Sequence, residues 1–348
     1  MELDDYMKKA FLLSFVVPCY NAERYLQRCL DSIYRCGLEE DVYEVLCVDD
    51  CSTDGTGEIL KRNEKSHNNL RVVTHEVNKG WGAPRNTGIK LVNGRYLWFV
   101  DADDVIVGQE IRMAVGKADT QSLDVLCFNY CRVDDAGKVL SRSLVFGDTD
   151  VENGYSFVKK VFGTSIVHHM GYVWRFLYRT EYLRNNKILF PEKVCWEDTV
   201  FMPKSLLDAK RVASISDVLY AYRVNVDSIS STFGRVYPAK LIYEFAFVAG
   251  GDLLRYSEEV EDDELRKAFR ETAIHKYING FPIYLFRTDG KERRRFYSLV
   301  SENKSVVDGM KRNMNSFNKL FFLPFIGRFV MECSTLAYKI KHAERQDV

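Results

Sequence analysis

Two acidic pairs stand out by their spacing. Asp101-Ala102-Asp103 is a D-x-D that follows directly on the apolar run Tyr96-Leu97-Trp98-Phe99-Val100, with Asp104 behind it. Neighbouring carboxylates at the end of a buried strand repel one another, and a hard divalent cation with oxygen ligands keeps them ionised. Magnesium or manganese held there would bridge phosphate oxygens and neutralise a departing diphosphate. A D-x-D taken alone also fits a solvated loop or a helix cap; its place straight after an apolar strand favours the metal. The second pair, Glu197-Asp198, precedes Val200, Phe201, Leu206 and Leu207, so a helix starts there and Asp198 fits its cap as well as a chemical role. Asp49-Asp50 closes another apolar run, Val42–Val48, and Pro18-Cys19-Tyr20-Asn21 closes a third, Leu12–Val17.

The elements that must hold these groups follow from periodicity. Leu12–Val17, Val42–Val48, Leu70–Thr74 and Tyr96–Val100 are short, β-rich runs. Between them, Tyr25, Leu26, Cys29, Leu30 and Ile33 form a helical stripe that stops near Gly37. Ser52-Thr53-Asp54 offers cap residues for a helix through Ile59 and Leu60, with Asp54 read as the cap. A further helix includes Arg85 to Leu91 and breaks at Asn93-Gly94. Alternating strands and helices predict an α/β fold with a mainly parallel central sheet flanked by helices. In such sheets a ligand sits beyond the carboxyl ends of the strands, where the polar groups lie. Trp174, Tyr178 and Tyr182 read as core.

Composition narrows the function classes. The 348 residues carry 49 Lys+Arg and 49 Asp+Glu, so the formal net charge is zero, with no basic excess to suggest a nucleic-acid partner. Nine cysteines without a C-x-x-C pair read as reduced, mostly buried thiols. No apolar stretch reaches the roughly 18 residues of a membrane span, and the acidic start Met1-Glu2-Leu3-Asp4-Asp5 is unlike a signal peptide, so a cytoplasmic location is expected. Gly80-Trp81-Gly82 has Arg85 where a dinucleotide loop needs its third glycine. Adjacent His168-His169 lack a spaced metal partner. From Phe233 onward, Leu241, Phe245, Val248, Leu253 and Leu254, then Leu265, Phe269, Ala273 and Tyr277, predict helices.

In their order, Val16-Val17-Pro18-Cys19-Tyr20-Asn21, Val48–Thr56, Pro84-Arg85-Asn86-Thr87-Gly88, Phe99–Asp104 and Trp196-Glu197-Asp198 resemble the family 2 glycosyltransferases, inverting enzymes of the GT-A fold that build cell-surface glycans in bacteria. The resemblance also touches Tyr220-Ala221-Tyr222-Arg223. It implies a GT-A domain over residues 1–230 and leaves 231–348 as a helical C-terminal region. It implies that Pro18, Tyr20, Asn21, Asp50, Arg85, Asp101, Ala102 and Asp103 bind a nucleotide-sugar, with Asp50 on the uracil N3–H and Tyr20 along the base. Arg85 would lie near the base or the diphosphate. Asp103, with Asp101, would hold Mn2+ or Mg2+. Asp198 would be the general base, and Glu197 would hold the loop or an acceptor hydroxyl. The partners implied are a nucleotide-sugar donor, with UDP favoured, and a saccharide or lipid-linked acceptor. A non-catalytic nucleotide-sugar-binding scaffold is the alternative, and it would need no base at Asp198. Cys51 stands where the family often has glycine, which suggests a backbone angle there that is not strictly positive. The apolar run Leu320–Gly327, near the basic Arg287, Lys291 and Arg293–Arg295, fits a peripheral contact at the inner membrane face, packing within the chain, or a homodimer contact.

Overall fold

A computed structural model describes residues 11–108, 110–162, 172–192, 197–224 and 251–273, with 297, 298, 301, 304, 308 and 311. Contacts divide the chain into two compact units: Met1–Lys193 with Glu197–Ser231, and Val194–Trp196 with Thr232–Val348.

The predicted apolar runs form β1 (Phe11–Cys19), β2 (Tyr43–Asp49), β3 (Leu70–Thr74) and β4 (Gly94–Phe99). These four are mutually parallel, in the order β3-β2-β1-β4. Between them lie α1 (Leu26–Tyr34), α2 (Thr56–Ser66) and α3 (Gly82–Leu91). The stripe Leu26, Cys29, Leu30 and Ile33 is the buried face of α1, as its spacing predicts. Two glycines permit close approaches. A Cβ on Gly88 of α3 would lie 2.3 Å from Val16 Cγ1, and one on Gly94 would lie 2.4 Å from Ser14 Oγ. The Gly94 N–H donates to that hydroxyl at 2.8 Å, which in turn donates to Glu44 at 2.6 Å.

The sheet continues with β5 (Val105–Ile106), β6 (Val125–Val133), β7 (Val139–Ser143), β8 (Phe176–Arg179) and β9 (Val212–Arg223). Its full order is β3-β2-β1-β4-β8-β6-β9-β5, with β7 on β6. Here the sheet is mixed: β8 is antiparallel to β4 and β6, while β9 is parallel to β6 and antiparallel to β5. The flanking helices are α4 (Ile111–Thr120), α5 (Gly154–Phe162), α6 (Thr180–Asn185) and α7 (Asp198–Leu207).

Alternate residues of β4 serve opposite faces. Trp98 packs with Phe15 at 5.6 Å and Phe128 at 4.9 Å between centroids, and its indole N–H donates to the Trp174 carbonyl at 2.8 Å. Phe99 meets Phe190 at 5.3 Å and Phe201 at 6.0 Å. A fully buried Phe contributes roughly 1.5–3 kcal/mol, so this double-sided packing fixes the strand whose end carries the D-x-D. Trp174, Tyr178 and Tyr182 are buried, as expected. All seven described cysteines are free thiols, and only Cys51 reaches the surface.

In the second unit, 251–259 is helical and is followed by α8 (Asp263–Ala273). Leu253 and Phe269 are buried, and the Tyr256 ring meets Phe269 edge-on at 4.9 Å. The expected helices therefore appear where residues are described. His168-His169, the basic cluster at 287–295 and the run 320–331 lie outside the described residues. No helix among the described residues is long and apolar enough to cross a membrane.

Candidate active site

Between β1 and β4 the chain reverses its direction of travel across the sheet, which opens a crevice at the strand ends. The loops there are sewn together locally. Asn21 takes a left-handed φ of 48°; its amide donates to Ser52 Oγ at 2.9 Å and its side-chain oxygen accepts from the Thr53 N–H at 2.9 Å. Asp49 accepts from the Ser52 N–H at 3.1 Å and its hydroxyl at 2.5 Å. Asp54 accepts from the Thr56 N–H at 3.0 Å, the start of α2, and from the Glu23 N–H at 3.1 Å. Burial works against ionisation of Asp54, but these hydrogen bonds hold its carboxyl below the usual range. Pro18 is half-buried within β1, and Tyr20 is exposed at its end.

Cys51 corrects the sequence reading. Its φ is 65°, squarely left-handed, although it is not glycine. Asp49 clamps Ser52 on one side, and the Cys51 thiol reaches the Glu76 carbonyl at 3.6 Å on the other, so the turn dictates the angle whatever residue occupies it.

Asp50 is buried and already engaged. It faces His75 Nδ1 at 2.6 Å and accepts from the backbone N–H of Lys79 at 3.0 Å and of Gly80 at 2.9 Å. His75 Nε2 reaches Thr87 Oγ1 at 2.9 Å. Sequence reasoning missed His75; the available signal was a histidine immediately after β3. Asp50 thus stiffens the 75–80 loop beside the crevice. A carboxylate accepts about four hydrogen bonds, so capacity for another donor is small.

The D-x-D and the Glu197-Asp198 pair meet through Arg85. From α3, the Arg85 guanidinium donates to Asp101 Oδ1 at 2.6 Å and, through its other terminal nitrogen, to Glu197 Oε1. Arg85 and Glu197 are buried, while Asp101 is half-buried. Burial disfavours the Arg85 charge, yet Asp101 and Glu197 together outweigh it and hold the guanidinium firmly protonated. Burial pushes the Glu197 carboxyl up, with Arg85 pulling against it. Glu197 occupies the residue before α7 without capping it through its side chain, and Asp198 is the first residue of that helix, half-buried. The negative charge of Asp198 also acts on Arg85.

Asp103 projects from the other side of the turn with its side chain 45% exposed. Partial removal from water, then Asp101, push its carboxyl up, while Arg223 opposes them. Ala102, between the two carboxylates, is buried. Asp104 is a structural pin: it accepts from the Tyr220 hydroxyl at 2.8 Å and the Arg223 N–H at 2.7 Å. Burial raises its carboxyl well above the usual range, with Asp103 and Asp101 adding to the effect. Arg223 lies over the Tyr25 ring at 3.2 Å, donates to the Asp103 carbonyl at 2.8 Å and pairs with Asp135 at 3.1 Å. The sequence motif containing Arg223 gave no role for it; its partners lie about ninety residues or more away along the chain.

A mixed sheet with this strand order, an acidic turn after β4 and a second acidic pair returning beside it define the GT-A fold. A crystal structure of Staphylococcus aureus TarS residues 1–349 matches it with a TM-score of 0.67, covering 96% of this chain and 92% of that one at 24% identity. The glycosyl transferase family 2 model matches residues 14–187, and the chain belongs to that family. The glycosyltransferase EpsJ of Bacillus subtilis is 31% identical over 226 residues, 63% of each chain. The S. aureus poly(ribitol-phosphate) beta-N-acetylglucosaminyltransferase TarS is 30% identical over 268 residues, 76% of this chain and 43% of that protein. The chain thus spans less than two thirds of the length of either relative.

Proposed function

We propose that the chain is an inverting glycosyltransferase that moves one sugar from a nucleotide-sugar, a UDP-hexose or UDP-N-acetylhexosamine, to a saccharide or lipid-linked acceptor. One observation carries this reading: Arg85 ties a D-x-D carboxylate to the residue beside Asp198, so an electrophile-binding group and a basic group share one crevice. The solved TarS complexes with UDP-GlcNAc and with UDP support the choice of donor.

In this reading Asp198 accepts the proton of the acceptor hydroxyl as it attacks the anomeric carbon from the face opposite the nucleotide. A single displacement inverts that carbon. Arg85 keeps Glu197, and with it the start of α7, in register with the D-x-D. Tyr20, exposed at the end of β1, offers a face to the base. Asp50 braces the adjoining loop as well as lining the base site.

The donor set fits a divalent cation. Asp103 presents a partly exposed carboxylate whose ionisation is opposed by its neighbour, which a cation would relieve. Among the described residues no group of three His, Cys, Asp or Glu converges, so these two carboxylates are the protein groups that would hold it. Asp103, with Asp101, would hold Mn2+ or Mg2+, which would supply positive charge against a leaving diphosphate. A lipid-linked acceptor would place the reaction at the cytoplasmic face of the membrane.

The test is incubation with a panel of UDP-sugars, Mn2+ and saccharide acceptors, with released UDP and product anomers measured by NMR. Consumption of one donor with inversion is expected. Product that retains the donor configuration, or no donor consumed, overturns the reading.

A further inference from the structure

The described part of the sheet domain buries three arginines, and one differs from the others. Arg85 is matched by Asp101 and Glu197, and Arg223 by Asp135 and the Asp103 carbonyl. Arg175, in the 3-10 turn Val173–Arg175 before β8, is 3% exposed. Its Nε and one terminal nitrogen are buried without a hydrogen-bond partner. The groups whose charge acts on it are Tyr130, Cys127 and Tyr172, none a carboxylate. The sequence between Phe162 and Tyr172 contains no acidic residue either. Its compensation is aromatic: the guanidinium carbon lies 5.0 Å from the Tyr130 ring centre and 4.6 Å from that of Phe146. Such contacts return only part of what withdrawing an ion from water costs. Burial accordingly pulls the Arg175 pKa down. Among the described residues the cation has no anion beside it.

Its surroundings reach the surface at Tyr172. Tyr172 is 43% exposed, although it stacks on buried Trp174 at 5.0 Å and 26°. Its ring lies 5.9 Å from that of Tyr130, the same ring that borders Arg175. Partial burial and Tyr130 raise the Tyr172 hydroxyl, Asp198 adds to this, and Arg175 opposes it. One exposed aromatic face therefore stands within electrostatic reach of both the candidate base and the unmatched cation. An aromatic face with a polar edge suits the C–H face of a sugar ring. A guanidinium is a fork for phosphate or carboxylate.

We propose that Tyr172 and Arg175 form an acceptor subsite, in which the Tyr172 ring takes the face of a pyranose and Arg175 pairs with a phosphate or carboxylate on the same acceptor. The word acceptor rests on the transfer reading above; anion recognition does not.

Calorimetry on the full chain, without donor, compares methyl glucoside, glucose 6-phosphate and glucuronate. The charged sugars are expected to bind about tenfold or more tighter than the neutral one, the range of a charged hydrogen bond. Arg175→Gln should erase that preference, and Tyr172→Ala should weaken all three. The phosphate and carboxylate arms distinguish the two anion sources. Equal affinity for charged and neutral sugars, no binding of any probe, or an unchanged preference in Arg175→Gln overturns the proposal. If the Gln variant does not fold, Arg175→Lys is read instead: it keeps the charge but loses the fork, so the preference should fall severalfold, and an undiminished preference refutes it. No transfer is measured, so failure here leaves the enzymatic reading standing, and failure of transfer leaves this result standing.

Discussion

Replacing Arg85 by methionine should expose how the two acidic motifs depend on one cation. The substitution preserves much of the aliphatic stem and deletes the charge between Asp101 and Glu197. The two carboxylates respond differently. Asp101 keeps a side-chain exposure of 26% and recovers hydration, whereas Glu197 at 8% does not. An unmatched buried ion costs about 3–5 kcal/mol; with one of the two partners rehydrated, a loss near 3 kcal/mol is expected. At about 2–4 °C per kcal/mol for domains of comparable size, Tm falls by about 6–12 °C at neutral pH. The loss depends on pH. Burial already raises the folded pKa of Glu197, and removal of Arg85 raises it further. For a carboxyl whose folded pKa exceeds the unfolded value, stability is fully present below the unfolded pKa, about 4.3, and is lost as pH rises through the folded one. Thermal melts from pH 4 upward should therefore show Arg85→Met approaching the parent in acid and diverging toward neutrality. Adding Glu197→Gln removes the stranded charge, and the double variant should recover most of the deficit, leaving about 1 kcal/mol for the lost hydrogen bond. A single variant whose deficit is flat with pH, or a double variant no more stable than Arg85→Met, would refute the bridge as the element that holds the motifs together.

Asp198→Asn should retain UDP binding and lose roughly 10²–10⁴-fold in transfer rate; a normal rate in a steady-state assay assigns Asp198 to the helix start alone. UDP should bind more tightly with manganese than without it, and Asp103→Asn should abolish the difference in calorimetry; equal affinities in both proteins sink the cation bridge. Cys51→Val puts a β-branched residue at a φ of 65° and should cost about 1–3 kcal/mol in a denaturant melt, whereas an unchanged midpoint means that the turn is free to relax.

The first half of the sheet could be read from sequence because its signals are local. Leu70–Thr74 forms β3 with the expected bounds, and Val42–Val48 differs from β2 by one residue at each end. These strands are continuous apolar runs between helices with their own periodicity. The second half escaped because its strands carry weaker patterns: β6 interrupts its run with Asn129 and Arg132, and β9 places Ser214, Ser216 and Asp217 among its apolar residues. The side chain of Asn129 is buried because it bonds the Phe146 and Ser216 carbonyls, a pairing no local window reveals. At the crevice, the motifs identified which carboxylates cluster. They did not identify what joins them: the expected place of Arg85, near the base or the diphosphate, did not include its bonds to two acids, and His75 and Arg223 drew no role. Cys51 failed for the opposite reason. A residue preference was read as a backbone angle, when the angle is set by the bonds of its neighbours.

The Arg223 N–H and Asp104 are 119 positions apart, and Arg85 and Glu197 are 112 apart. That separation makes the crevice a late product of assembly. A ribosome delivers β1 to β4 first, and their parallel pairing needs nothing beyond residue 99. β6 must then wait for β9, which supplies its parallel neighbour and, through Tyr220 and Arg223, the grip on Asp104. During that interval β6 offers unpaired amides and carbonyls to any other chain, the hazard of a raw strand edge. A polypeptide cut at residue 187, where the match to the family model ends, would be fixed in that condition: it lacks Glu197, Asp198 and all of β9, and should aggregate rather than bind nucleotide. If Asp198 is the base proposed above, a nascent copy gains it only shortly before the segment that closes the sheet.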